Sequence, residues 1–447
     1  MSAGPEAGDS ALPVDPALGG LARDVGRWQV LGLSINDVVG SGIYLLPATV
    51  FLLLGPLSVW AVLLAGCAVG LLVLCYAQAA SYFDAPGASY LYAREAFGPF
   101  VGFQVGWTVW LTRVAVAASL SNGLADAVQR FWPAAADGAG RMAVVAGSLA
   151  LLTALNVVGV RWAARAGVAM TLGKLIPLLL FVAIGAFHID WGLAGAGKAP
   201  DAGDLRTMSE AALLLLFAYA GFENLPAAAG EYRNPRRDVP FALLTMITVV
   251  TLVYAAVQLV AQGTLPGLAQ SSAPVADAGA RLAGEGFALL ITVGAAVSIL
   301  GTNSNTMLLG PRFLYALSVD GYGPRAFSRI SPRYRTPALA IVVQGGLALV
   351  LALTGSFVGL ALLSTLTRLC AYMATAAAVL VLRRRHPDRP GVLRLPGGPL
   401  IPVSALLLTA VLFASASLAN LLAVGLALLV GAAIYRFWRR PGPPGEG

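Results

Sequence analysis

The chain has 447 residues, of which 58% are hydrophobic and only 11% are charged. Soluble globular domains carry roughly 25% charged residues, so this chain has too little polar surface to be a soluble protein of its length. Its three cysteines have no paired spacing and no histidine nearby, so neither a disulfide framework nor a metal site is expected.

The two ends of the chain differ from the rest in composition. Residues 1–26 are small, polar and rich in Pro and Gly. They lack the basic start and apolar stretch of a signal peptide, so we expect a disordered cytoplasmic tail. Residues 439–447 are predicted to form a second cytoplasmic tail.

Between these tails, the sequence contains twelve apolar runs, each close to the roughly 20 residues that a helix needs to cross a bilayer. They cover approximately residues 28–53, 57–80, 99–129, 142–160, 164–187, 209–229, 239–261, 284–316, 337–354, 357–382, 400–418 and 420–437. Of the 29 lysines and arginines, 21 fall on the side of the membrane that holds the N-terminus. Positive residues accumulate on the cytoplasmic side, so both termini are predicted to be cytoplasmic. The net charge of +8 is thus a topology signal, and nucleic acid is not an expected partner.

The first and sixth runs contain helix-breaking residues at corresponding positions of two five-run blocks. The first has Gly40, Ser41 and Gly42 at its middle, and the sixth has Gly221 at its centre with Pro226 just after. Paired interrupted helices of this kind mark the binding site in transporters built from inverted repeats. A half-helix N-terminus attracts a carboxylate, and freed carbonyls accept from an ammonium. Alternatively, these glycines only let two helices pack closely, but their matching positions favour unwinding.

Four stretches of sequence carry a resemblance to a known family. They are VVGSGIYLLPA, DAPGASYLYAREAFGPFVGFQVGW, FAYAGFENLPAAAGEYRNPRRDVP and GPRFLYALSVDGYGPRAFSRISPRYRTP. In order and spacing they resemble the amino acid–polyamine–organocation family, from about Trp28 onward. The resemblance implies an all-α membrane protein with twelve transmembrane helices, arranged as a five-plus-five inverted repeat with broken helices one and six. The implied divisions are residues 27–190, 191–385 and, for the last two helices, 386–438.

The resemblance also implies where the substrate binds. The unwound segment whose amides hold the substrate carboxylate in the family matches Ser41, Gly42 and Ile43. The segment whose carbonyls hold the substrate amine matches Phe217, Ala218, Tyr219, Ala220 and Gly221.

Three further positions correspond to residues of the family's arginine–agmatine exchanger. Phe217 stands where that exchanger has a tryptophan that closes over the substrate, and Glu223 matches an acidic gate residue. Val109 stands where the exchanger has an aromatic residue on the third span. The resemblance therefore does not carry over that exchanger's guanidinium cage.

Five ionisable residues lie inside the predicted spans: Asp37, Arg113, Lys174, Glu223 and Arg368. Such residues are costly in a membrane and indicate function by default. In proton-coupled relatives, a lysine at the position of Lys174 resembles a substitute for a sodium ion. Because burial disfavours a charged ammonium, such a lysine could exchange protons near neutral pH. The alternative is a permanent charge that joins helices, paired with Asp37.

The other four charges have open interpretations. Glu223 is either a gate or proton carrier, or a structural group that pairs with Arg113 or caps a half-helix. Asp37 either neutralises Lys174 or caps the first interruption. Arg113 and Arg368 are expected to be structural, because neither lies on a matched binding segment.

Taken together, the sequence predicts a secondary active transporter, a proton-coupled amino acid symporter that works by alternating access. The alternatives are an amino acid or polyamine exchanger and a non-transporting membrane sensor. No nucleotide-binding, zinc-binding or hydrolase motif occurs, so no enzyme activity, catalytic residue or cofactor is expected. The expected partners are a small amino acid, protons and membrane lipids, while the substrate's identity and the oligomeric state are left open.

Overall fold

The computed structural model describes residues 25–83, 88–158, 163–195, 205–387 and 390–438. Within these ranges every regular element is a helix, and the only β-type contact is an isolated bridge between Val25 and Tyr232. The predicted tails lie outside the described residues, apart from the last two positions of the N-terminal one.

The described part of the chain forms α-helices interspersed with short 3₁₀ turns. In chain order the α-helices are α1 Arg27–Val38, α2 Gly42–Leu54, α3 Ser58–Ser81, α4 Ala88–Phe97, α5 Pro99–Val128, α6 Gly138–Val158, α7 Ala163–Gly185, α8 Trp191–Ala194, α9 Leu205–Ala218, α10 Pro235–Thr264, α11 Pro274–Ala283, α12 Glu285–Val319, α13 Ala338–Thr354, α14 Phe357–Arg385, α15 Leu400–Ala414 and α16 Leu418–Trp438. One longer 3₁₀ helix, Phe222–Glu231, follows α9 and is called the 3₁₀ segment below.

Many of these helices have the length and composition of membrane spans. Among the described residues, seven helical stretches are long and apolar enough to cross a membrane, and four shorter helices are also apolar. Helices suit this environment because they satisfy every backbone hydrogen bond internally where no water is present. The expectation of an all-α architecture with membrane-spanning helices is confirmed, and the number of twelve spans stays a prediction.

Two helical runs are interrupted at the positions that the sequence indicated. Helix α1 ends at Val38 and α2 begins at Gly42, so residues 39–41 form a first break. Helix α9 ends at Ala218 and the 3₁₀ segment begins at Phe222, so residues 219–221 form a second break. Gly221 has φ 129°, a conformation that only glycine adopts readily. This explains why the second helix stops here.

Helix α5 is the central column around which both breaks are arranged. It packs against α12 and α14. In its most apolar stretch, 78% of the residues are buried inside the protein, compared with 11% in the corresponding stretch of α16. Helix α2 packs against α9, and α1 packs against α10 and the 3₁₀ segment. The two breaks therefore lie side by side in the protein interior, next to α5, α12 and α14.

Candidate functional site

A small cavity lies between the two breaks. Its wall is formed by residues of α1, α2, α5, α9, α12, α14 and both breaks: Asp37, Val38, Gly40, Ser41, Gly42, Arg113, Val116, Leu120, Phe217, Ala218, Ala220, Gly221, Asn224, Thr302, Asn305, Thr306 and Arg368. Of the eleven residues that the sequence predicted for substrate binding, proton coupling or gating, seven line the cavity. The other four do not line the cavity: Ile43, Tyr219, Lys174 and Glu223.

The two breaks touch each other through their glycines. A Cβ atom on Gly42 would lie 2.7 Å from the Ala218 Cα. A Cβ atom on Gly221 would lie 2.5 Å from the Asp37 carbonyl oxygen. Both distances are shorter than real Cβ contacts, and both neighbouring atoms belong to the backbone. Close packing and unwinding, which the sequence presented as alternatives, therefore occur together.

The first break leaves backbone donors without acceptors. Ser41 has helical angles, φ −64° and ψ −31°, and its carbonyl accepts from the amides of Tyr44 and Leu45 at 3.0 and 3.1 Å. The amides of Ser41, Gly42 and Ile43 donate to no acceptor among the described residues. Such unpaired donors are usual at a helix N-terminus, and together with the helix dipole they form a ready site for an anion.

The second break is closed by a carboxylate of the protein itself. The Gly221 amide donates to Glu223 Oε2 at 2.9 Å, and the Tyr372 hydroxyl donates to the same oxygen at 3.1 Å. Glu223 Oε1 lies 2.9 Å from Arg368 Nε, and both side chains are less than a tenth exposed. The sequence offered two structural roles for Glu223, pairing with Arg113 or capping a half-helix. In the structure Glu223 caps the start of the 3₁₀ segment by accepting from the Gly221 amide. Its ion-pair partner in the structure is Arg368 rather than Arg113.

Some carbonyls of the second break remain available. The Phe217 carbonyl accepts from the Ala220 amide at 3.2 Å, and the Gly221 carbonyl accepts from Asn224 at 3.0 Å. Those of Tyr219 and Ala220 accept no hydrogen bond from the described part of the chain. The Tyr219 side chain points elsewhere, because its hydroxyl donates to Val62 at 3.0 Å. Any role of Tyr219 in binding would therefore use its backbone.

One tyrosine that the sequence analysis did not single out joins the two breaks. Tyr254 of α10 is 1% exposed, and its hydroxyl oxygen lies 2.9 Å from the Val38 carbonyl and 3.1 Å from the Ala218 carbonyl. Each carbonyl belongs to the last residue of the helix before a break. A hydroxyl has one proton to donate, so the two breaks share this donor. No sequence motif indicated the contact, since it depends on how α10 packs.

Lys174 of α7 connects the two halves of the first interrupted helix. Its side chain is 3% exposed, and its ammonium donates to the Asn36 carbonyl of α1. Its own carbonyl accepts from the Tyr44 hydroxyl of α2. No carboxylate of the described residues lies within 4.0 Å of the ammonium. The Asp37 carboxylate, a predicted partner, lies beyond 4.0 Å from the ammonium and accepts from Asn305 Nδ2 at 2.9 Å.

Arg113 and Arg368 both lie on the cavity wall, although the sequence led us to expect structural roles. Arg113 is 5% exposed, and its guanidinium donates to the Asn224 side-chain oxygen. It lies four residues, about one helical turn, after Val109, and so on the same face of α5. In the sequence, the feature that could have indicated a role for Arg113 and Arg368 in the site was their charge inside predicted spans. The polar residues Thr302, Asn305 and Thr306 of α12 gave no comparable signal.

The cavity wall offers donors, acceptors and fixed charges but no metal site. Among the described residues, no group of three or more His, Cys, Asp or Glu side chains could hold a metal ion. The wall can receive a small solute that has both an anionic and a cationic group. Phe217 also lines the cavity, and its ring packs edge-on against Phe357 with 5.8 Å between centroids.

Known proteins and one family model are similar to this chain over most of its length. The family model described as amino acid permease matches residues 25–433. A methylthioribose transporter of Bacillus subtilis (strain 168) is 28% identical over 86% of this chain and 86% of its own. A branched-chain amino acid permease of the same organism is 28% identical over 94% of each chain. A serine/threonine exchanger, also from this organism, is 28% identical over 93% of this chain and 95% of its own.

Proposed function

The chain belongs to the amino acid permease family, and we propose that it is a secondary active transporter that carries an amino acid by alternating access. As a member of this family with several apolar helices of membrane-spanning length, it is an integral membrane protein. The permease and exchanger among its relatives handle amino acids by name. The methylthioribose transporter shows that the substrate differs between relatives.

The proposed architecture is the one that the sequence predicted. Twelve helices cross a bacterial inner membrane with both termini in the cytoplasm. Residues 27–190 and 191–385 form two inverted repeats of five spans, and residues 386–438 add the last two. The two breaks support this arrangement, because each lies in the first span of its repeat. Broken helices at corresponding positions near the midplane are a feature of such transporters.

The proposed site holds the substrate mainly by backbone groups. In this proposal the amides of Ser41, Gly42 and Ile43 bind the α-carboxylate. The observation that supports it most strongly is that these three amides have no acceptor among the described residues. The free carbonyls of Tyr219 and Ala220 accept from the amine. Backbone recognition requires no side-chain charge, so it suits the part that all amino acids share.

The backbone claim can be tested at Ser41 with two substitutions. Its φ of −64° already fits proline, so Ser41→Pro removes one amide donor with little change in backbone conformation. Ser41→Ala keeps the amide and removes only the hydroxyl. We expect Ser41→Pro to raise KM for uptake into proteoliposomes by about tenfold or more, since a hydrogen bond to a charged group contributes about 1.5–3 kcal/mol. Ser41→Ala should stay within about threefold of the parent. Equal effects of both changes would contradict binding by the amide.

We further propose that transport is coupled to protons through Lys174. The ammonium holds the Asn36 carbonyl, while the Lys174 carbonyl holds Tyr44 on the far side of the first break. The contact with Tyr44 uses the backbone carbonyl of Lys174, so the charge itself stabilises the position of α1 relative to α7. Loss of the proton weakens the attraction to the Asn36 carbonyl and favours the other access state. The absence of a carboxylate within 4.0 Å in the described residues is consistent with a lysine that can release its proton.

An exchange mechanism is the second candidate, because one relative is a serine/threonine exchanger. Proteoliposomes separate the two mechanisms. Symport predicts uptake driven by an inward proton gradient without internal substrate, whereas exchange requires internal substrate. Lys174→Ala should abolish the response to the proton gradient while substrate binding persists. Full gradient-driven uptake by Lys174→Ala would rule out coupling through this lysine, and binding without any flux would indicate a sensor.

A further inference from the structure

The buried charges around the cavity do not balance. Among the described residues around the cavity, three cations, Arg113, Lys174 and Arg368, lie near two carboxylates, Asp37 and Glu223. With all five groups in their usual ionic forms, the cluster carries one excess positive charge. An uncompensated charge inside a protein is costly, by several kcal/mol even after relaxation. A bound anion would remove this cost.

The excess charge can be traced to one residue. Glu223 neutralises Arg368 through the 2.9 Å ion pair. Lys174 lies behind the cavity wall and donates to the Asn36 carbonyl. That leaves Arg113, which faces the cavity at 5% exposure and has no carboxylate within 4.0 Å among the described residues. The acceptor that it contacts is the neutral amide of Asn224.

The guanidinium of Arg113 also has unused hydrogen-bonding capacity. A guanidinium carries five N–H donors, and Arg113 Nε is buried without a partner in the described structure. Buried polar groups are nearly always paired, so the unpaired Nε of Arg113, like the unpaired Nη1 of Arg368 on the same wall, is a donor available to a ligand. Only Arg113 of these two arginines also lacks a carboxylate within 4.0 Å in the described residues. The planar guanidinium matches a carboxylate with two parallel hydrogen bonds.

We propose that Arg113 binds a second carboxylate of the substrate, so that the preferred substrate is an acidic amino acid. This inference rests on the proposed transport function, in which the backbone amides at Ser41–Ile43 receive the α-carboxylate. Arg113 then receives the side-chain carboxylate. The net charge of −1 on such a substrate cancels the excess positive charge of the cluster.

The same contacts argue against a cationic substrate. Glu223 is already engaged by Arg368, Tyr372 and the Gly221 amide. Among the described residues that line the cavity, Asp37 is the only one with a carboxylate, and it already accepts from Asn305. One carboxylate matches the single amine of an acidic amino acid. A polyamine or a basic amino acid would bring a second positive charge next to Arg113.

The inference is tested first on the unmodified protein with two isosteric pairs of substrates. Aspartate is compared with asparagine, and glutamate with glutamine, as competitors for uptake into proteoliposomes and as ligands that raise the melting temperature of the purified protein. The acid and amide of each pair differ by one charge at nearly constant shape. We expect at least one acid to compete about tenfold or more better than its amide. Amides that match or exceed both acids would overturn the inference.

The second test uses substitutions at Arg113. Arg113→Gln should reduce the preference for the acid over its amide by about tenfold or more. Arg113→Lys keeps the positive charge but loses the planar guanidinium. Its preference for the acid should therefore lie between those of the parent and Arg113→Gln. Arg312→Gln on α12, which is exposed, is the matched control and should retain the full preference. An unchanged preference in Arg113→Gln would overturn the inference.

The outcomes separate this inference from the proposed function. Uptake of neutral amino acids without a preference for acids would contradict the role of Arg113 and leave amino acid transport intact. Failure of all amino acids to bind or to be taken up would contradict the proposed function itself. The comparison of acid with amide on the unmodified protein remains decisive even if the Arg113 variants fail to fold.

Discussion

The two breaks use the same device, an unwound stretch at a glycine, with opposite electrostatic results. At the first break the chain resumes as a regular α-helix, and the amides of Ser41, Gly42 and Ile43 have no acceptor in the described structure. At the second break the chain resumes as a 3₁₀ helix, and the Gly221 amide is bound by Glu223. One break is thus open to an external anion, and the other contains an anion of its own.

This difference indicates a division of roles. At the first break, the unpaired amides can accept a carboxylate without displacing an acceptor of the described protein. The second break is connected to α14, because Glu223, which accepts from the Gly221 amide, also forms an ion pair with Arg368. Because α14 supplies part of the cavity wall through Arg368, movement at the second break would alter the shape of the site. The first break therefore suits binding, and the second suits gating.

The breaks are nevertheless mechanically coupled. Each glycine packs against the backbone of the other interrupted helix, and the Tyr254 hydroxyl lies between the carbonyls of Val38 and Ala218. Movement of one break is therefore expected to change the contacts of the other. The following predictions separate this shared packing from the electrostatic difference.

The largest effect is expected from filling the contact between the breaks. Gly221→Ala places a side chain at φ 129° and within 2.5 Å of the Asp37 carbonyl, and Gly42→Ala places one 2.7 Å from the Ala218 Cα. We expect both variants to lose transport in proteoliposomes, with Gly221→Ala also melting at a lower temperature because of its added backbone strain. The matched control is Gly70→Ala on α3, where a Cβ meets nothing within 4 Å. Active Gly42→Ala and Gly221→Ala variants would show that close contact of the breaks is not required.

A second, smaller effect should distinguish the charged break from the open one. Glu223→Gln leaves Arg368 buried without its carboxylate, and breaking such a pair costs about 3–5 kcal/mol. We expect a clear fall in melting temperature and a loss of uptake of about 100-fold or more. The double variant Glu223→Gln with Arg368→Gln removes both charges and should recover most of the melting temperature but not the uptake. If the double variant melted no higher than Glu223→Gln alone, the ion pair would not be the stabilising contact.

The smallest effect concerns the hydroxyl that the breaks share. Tyr254→Phe removes one hydrogen bond, worth about 1 kcal/mol, and loosens the connection between the breaks. We expect uptake to slow by a few fold with KM nearly unchanged, because the substrate is not touched. Tyr232→Phe is the control, since its buried hydroxyl binds the Leu225 carbonyl at 3.0 Å, away from both breaks. A similar slowing in both variants would point to general destabilisation rather than coupling.

Much of the fold was predictable because it depends on local sequence. Apolar runs of span length, glycines at residues 40, 42 and 221, and Pro226 together indicated where helices form and where they stop. These features act through backbone conformation and hydrophobicity, which are properties of a segment and its immediate neighbours. The all-α class and the location of the breaks followed from them.

The sequence alone determined that this chain enters a membrane as helices and breaks two of them near their middles, because those outcomes depend on segment hydrophobicity and glycine. Only the tertiary structure decided which charges meet. In the structure, Glu223 forms an ion pair with Arg368 rather than Arg113. Asp37 accepts a hydrogen bond from Asn305 rather than from Lys174, and the Tyr254 hydroxyl lies between the two breaks. These contacts depend on the rotation and depth of each helix in the packed bundle, and the linear sequence does not specify either.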